Sequence, residues 1–147
     1  MKLNKKGFSL VELLAVIIIL GIISGIAIGG TSIYMENTRK KAYEAMELTL
    51  FNGAQNYIID KGVLVPECEP AGAAITDCTN GLILTSDKLI LYGYVKELED
   101  PASKSNVQCT GQVKVTRKKG TSKQLDQYHY RVHLECNGYA NDRDFEG

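Results

Sequence analysis

Residues 5–28 read KKGFSLVELLAVIIILGIISGIAI. After two lysines and a glycine, the 21 residues from Phe8 to Ile28 carry a single charge, Glu12. A helix of that length spans roughly 30 Å, the thickness of the hydrocarbon core of a bilayer, so the stretch predicts a membrane segment. Lys2, Lys5 and Lys6 precede it, and no basic residue follows within ten positions. That asymmetry orients the amino end toward the cytoplasm and everything after Ile28 outward.

Glu12 sets the problem. A carboxylate inside a transmembrane helix costs about 2.5–3.5 kcal/mol on insertion scales, less near the interface, and such residues usually have a partner. An ordinary secretory signal also has a basic start and an apolar core, and Ala27–Gly29 offers a small-x-small cleavage site that would release a soluble protein. A disposable signal has no use for Glu12, however. The remaining alternative is a carboxylate that snorkels to the cytoplasmic interface.

The stretch KKGFSLVELLAVIIILGI resembles the amino-terminal segment of type IV prepilins and pseudopilins, the subunits of type IV pili, type II secretion systems and competence filaments. The resemblance covers residues 5–28. It implies cutting by a prepilin peptidase between Gly7 and Phe8 on the cytoplasmic face, N-methylation of Phe8, and an assembly role for Glu12. Cutting there creates an α-amino group with an ordinary pKa of roughly 8, a cation at the tip of a helix already in lipid. Opposite charges attract strongly in a low-dielectric medium, although removing both from water offsets much of the gain. The pair therefore reads as a register device: Glu12 of an incoming subunit meets the amine of Phe8 on a neighbour in the filament. The partners implied are the peptidase, other copies and related pilins, and the inner membrane.

Gly21, Gly25 and Gly29 recur at four-residue spacing, which on a helix opens one face to close approach by another. Glycine also weakens a helix by about 1 kcal/mol relative to alanine, so the alternative reading is a weak helix that melts locally at Gly29 and Gly30. Beyond it, Ala42, Met46, Leu50, Ala54 and Ile58 recur every four residues with Tyr57 alongside, while Arg39, Lys40, Glu44 and Glu47 fall largely on other faces. Gly62 is a natural stop. If continuous from Phe8 to Lys61, the helix is about 80 Å long.

The 147 residues hold 17 basic and 17 acidic side chains, so no global charge points to nucleic acid. Setting aside the three leading lysines leaves 14 basic against 17 acidic, a mildly acidic body. Four cysteines, Cys68, Cys78, Cys109 and Cys136, lie on the predicted exported side, where an even count reads as two disulfides. There is no CxxC pair, which argues against zinc.

Periodicity helps to choose the pairing. Tyr128, Tyr130, Val132, Leu134 and Cys136 alternate with His129, Arg131, His133 and Glu135 in a half-buried strand, and Val107, Cys109, Val113 and Val115 alternate likewise. Folding the two about RKKGTSKQLD with Val115 opposite Tyr130 and Val113 opposite Val132 sets Cys109 opposite Cys136. Cys68–Cys78 is then the bridge left over, and swapped pairings stay open. Between them, Ser86 predicts a cap on a short helix over Lys88–Tyr92, leading to an extended segment that ends at Pro101; the competing reading is a strand broken by Gly93.

The predicted fold class is α+β: a long amino-terminal helix packed on a small antiparallel sheet. Its divisions are a leader (1–7), a transmembrane and filament-core helix (8–28), an amphipathic continuation (29–61) and a disulfide-bonded head (62–147). His129 and His133 lie about 13 Å apart along one strand face, too far to share a metal, and read as surface residues. The basic turn RKKGTSK is weak support for nucleic acid, and NDRDFEG lacks the spacing of a calcium loop. No nucleophile–base constellation, metal set or cofactor motif is recognised, so the chain reads as a non-enzyme without a cofactor. The function expected is a structural filament subunit, membrane-anchored before assembly and extracellular or in the envelope after it. The alternatives are a secretion or competence pseudopilin, a tip subunit that binds a surface or DNA, and a soluble protein freed after Gly29.

Overall fold

The structure, a computed structural model, describes residues 9–71 and 74–147, and for residues 26–32 the backbone alone. Gly7 and Phe8 lie outside the described residues. The chain divides into two compact units that meet between Lys40 and Lys41.

Helix α1, Leu10–Lys61, contributes to both. It is helical at Gly29 and Gly30, where the alternative reading of the sequence has it melt locally. Both glycines keep the N–H that a proline would lack, so the hydrogen-bond ladder is not cut there. The helix stops at Gly62, whose φ of +60° a glycine adopts without strain.

In the first unit the large apolar side chains from Leu10 to Ile23 are all 48–82% exposed. A helix that is apolar on every face is matched to lipid or to other helices. A Cβ added at Gly21 or Gly25 would meet nothing within 4 Å, so that face is open. Among the described residues no helix is long and apolar enough to cross a membrane. The described side chains of the apolar run end at Gly25, short of Ile28.

In the second unit the outer part of α1 packs on a four-stranded antiparallel sheet in the order β1-β2-β3-β4, from Leu82–Thr85, Thr110–Lys118, Gln127–Cys136 and Tyr139–Glu146. A short helix α2, Ser86–Leu91, follows β1. The β2–β3 register pairs Val115 with Tyr130 and Val113 with Val132, as the alternation of apolar residues dictates. Thr85, not Ser86, caps α2: its hydroxyl accepts from the Lys88 amide at 3.4 Å. Ser86 is buried, and its hydroxyl accepts from the Gly111 amide at 3.1 Å.

The helix face in the core differs from the four-residue stripe. Tyr43, Glu47, Leu50, Ala54 and Tyr57 are buried, while Ala42, Met46 and Ile58 are only half-buried. A strict four-residue spacing drifts around a helix of 3.6 residues per turn, whereas alternating steps of four and three stay on one face. Leu50 lies close to where a Cβ on Gly111 would be, and Val95 and Tyr94 close on Gly53, so both glycines admit neighbours that a Cβ would displace. Phe51 stacks on Phe145 at 4.7 Å and meets Tyr130 edge-on at 5.0 Å, joining α1 to β3 and β4.

Candidate functional site

The described chain begins where α1 is capped. Ser9 donates its amide to Glu12 Oε2 at 2.9 Å, and the Glu12 amide donates to Ser9 Oγ at 3.2 Å. This is a reciprocal capping box, S-x-x-E, which satisfies donors that the first helical turn leaves unpaired. The motif is present in FSLVE, but a search for charge among apolar residues passes over it. The carboxylate also sits in the first turn, where the helix dipole favours a negative charge. Among the described residues Glu12 has no ion-pair partner. Among the described residues it is held by its own cap, at the start of a helix whose large apolar side chains as far as Ile23 are exposed.

Compared with known families, residues 2–28 match the model described as the prokaryotic N-terminal methylation motif. The match supports the type IV prepilin and pseudopilin family. It places Gly7, Phe8 and Glu12 inside the matched segment and leaves the head unassigned. The family is a structural one, and its motif implies processing by a prepilin peptidase and assembly with other pilins. It further implies a membrane-anchored pilin that later enters an extracellular filament. No curated protein and no solved structure matches the chain.

The head carries the other predicted site residues. Disulfides join Cys68 to Cys78 and Cys109 to Cys136, with Cα separations of 5.2 and 4.4 Å. The first closes a loop that lies on the outer face of the sheet: Lys114 Nζ donates to the Cys78 carbonyl at 2.9 Å, and the Thr116 hydroxyl to that of Ile75 at 3.1 Å. His129, read from the sequence as a surface residue, is 5% exposed, since the side chains around it include Ile75 and Thr76 of this loop. His133 stays half-buried and pairs with Asp142 at 2.7 Å.

All of NDRDFEG but Gly147 belongs to β4, a strand that the sequence pattern does not announce. Its outward carboxylates face β3: Asp144 meets Arg131 at 2.9 Å and His129 at 3.3 Å. The hydrogen bond from Arg131 holds the Asp144 carboxyl below its ordinary range. The inward side of β4 serves Glu47, which is 0% exposed and accepts from Asn141 at 2.8 Å, Tyr139 at 3.1 Å and Arg143 at 3.5 Å. Tyr139 also stacks on Tyr43 at 3.9 Å. Burial, followed by the bond to Glu47, pushes the Tyr139 hydroxyl up. In the basic turn Arg117 is taken up by Asp126 at 3.3 Å, leaving Lys118, Lys119 and Lys123 exposed.

Proposed function

We propose that this chain is a structural subunit of a type IV pilus-like filament. It is made as a single-pass membrane precursor with the amino end cytoplasmic and the head exported. It is cut between Gly7 and Phe8, methylated on Phe8, and polymerised through its apolar helix. The observation that carries this reading is the match of residues 2–28 to the methylation motif, with Glu12 inside it at the head of a helix whose apolar side chains are uncovered. Before assembly the capping box gives the carboxylate one neutral donor, the Ser9 amide. A charge-assisted bond to an amine is stronger than one to a neutral donor. The cation arises only on cutting, as the amine of Phe8, and packing copies side by side brings that amine to Glu12 of a neighbour. Lipid enforces the match, because it offers neither charge water as a substitute.

Glu12→Val tests the mechanism. The variant should be trimmed and should fractionate with the membrane, yet yield no sheared filaments. Abundant filaments from it would overturn the pairing.

A further inference from the structure

The two ends of the β2–β3 hairpin carry free charges of opposite sign. At one end the turn 117–126 holds four basic residues and one acidic. The acidic one, Asp126, is used within the turn: it accepts from the Gly120 amide at 2.9 Å and pairs with Arg117 at 3.3 Å. These bonds hold the turn in shape and leave Lys118, Lys119 and Lys123 exposed, with no ion-pair partner among the described residues. Leu125 beside them is 91% exposed.

At the other end a recess of about 310 Å3 opens between Thr85, Asp87, Thr110, Gln112, His133 and Glu135. Asp87 and Glu135 are exposed, neither is in an ion pair among the described residues, and no lysine or arginine lines the recess. An adjoining recess shares Gln112 and His133 and adds Ile83, which is 57% exposed. Its charged groups are already taken: Lys114 donates to the Cys78 carbonyl, Arg131 pairs with Asp144, and Asp142 pairs with His133. The free charge of the groove is therefore negative. From Thr110 to Lys118 the strand rises roughly 26 Å, so a head does not bring its own turn to its own recess.

We propose that the basic turn of one head seats in the acidic recess of a neighbouring copy, with Lys118, Lys119 and Lys123 facing Asp87 and Glu135, and Leu125 over Ile83. This rests on the filament proposal and names the part of a neighbour that the head meets. A polyanion would match the turn and leave the recess unmatched, whereas a second copy supplies the opposite charge to both. The contact is heterologous: each head offers one turn and one recess displaced along the strand, so copies add in one direction, the arrangement from which open helical filaments arise. Exposed ion pairs are individually weak, so the contact sets the register of the heads and rejects wrong neighbours, while the apolar helix supplies the affinity.

A carbodiimide joins an amine to a carboxylate without a spacer, so an amide between a turn lysine and Asp87 or Glu135 forms only between copies. Filaments sheared from cells, treated with it and mapped by mass spectrometry, should contain that amide. Reversing the turn (Lys118→Glu, Lys119→Glu, Lys123→Glu) or the recess (Asp87→Lys, Glu135→Lys) should lower filament yield about tenfold at unchanged precursor level, because like charges then meet. Combining the two sets should restore most of the yield. Filaments without the amide, or a combined variant no better than either set alone, overturn this inference and leave the filament proposal standing. Turn lysines joined instead to another protein, or shielded until nuclease treatment, overturn it as well. A wild-type chain that yields no filaments overturns both. Should a reversed variant fail to form its disulfides, the amide map of the wild-type filament decides alone.

Discussion

Removing the Glu47 carboxylate should destabilise the head far more than removing any exposed charge on the same helix. Glu47 is 0% exposed and is the acceptor for three side chains of β4, the edge strand. Hydrogen bonds to a charged group contribute about 1.5–3 kcal/mol each. Asn141 is exposed and Tyr139 only half-buried, so both regain water when the acceptor goes and the lower figure applies to their bonds at 2.8 and 3.1 Å; the 3.5 Å contact of the exposed Arg143 is neglected. That gives about 3 kcal/mol, and the cavity left by Glu47→Ala adds about 1 kcal/mol. Glu47→Gln keeps the volume and one acceptor oxygen and should cost about 1–2 kcal/mol. Urea unfolding of the full chain in detergent, followed by near-ultraviolet circular dichroism of the packed tyrosines, reads both. With a slope of about 1.5–2 kcal/mol per molar, the alanine variant should lower the midpoint by about 2 M. A loss below about 1 kcal/mol for Glu47→Ala, or equal losses for both variants, would refute the assignment of Glu47 as the clamp on β4.

Two further outcomes concern pH. The folded carboxyl of Asp144 titrates below its ordinary value of 3.8, so its stabilising contribution is complete above that value and is lost as pH falls through the depressed one. Asp144→Asn should therefore shrink the gap in stability between pH 5 and pH 2, measured by urea midpoints; an unchanged gap would count against the Arg131 pairing. The hydrogen bond from Tyr94 to Asp60 pushes the tyrosine up to about 12, so its contribution holds below its ordinary 10 and disappears as pH rises through about 12. Tyrosinate absorbance should show one phenol titrating late, and Asp60→Asn should bring it back toward 10.

What the sequence made legible follows from which physical signals act locally. The α+β class and the β2–β3 register were readable because Val113, Val115, Tyr130 and Val132 alternate with polar neighbours and a one-residue slip would expose them all. β4 was not readable, because the side it turns to α1 carries Asn141 and Arg143, which are satisfied by Glu47, a residue 94 to 96 positions away in the chain. Glu47 in turn looked like a surface charge for want of those partners. β1 was missed because LILT is four residues long and its alternation is too short to register. His129 was misplaced because the loop that covers it is held by a disulfide and by two carbonyls that accept from Lys114 and Thr116. At the amino terminus the motif itself was plain in KKGFSLVELL, while the Ser9 cap went unseen although its spacing is local.

The amino terminus of the mature protein tests the account most directly, read by intact and fragment mass spectrometry on material sheared from cells. The account predicts a chain that begins at Phe8 and carries one methyl group on its α-nitrogen. A chain that begins beyond Gly29, or that retains residues 1–7 in the filament, would contradict it, because no new cation would then stand within reach of Glu12.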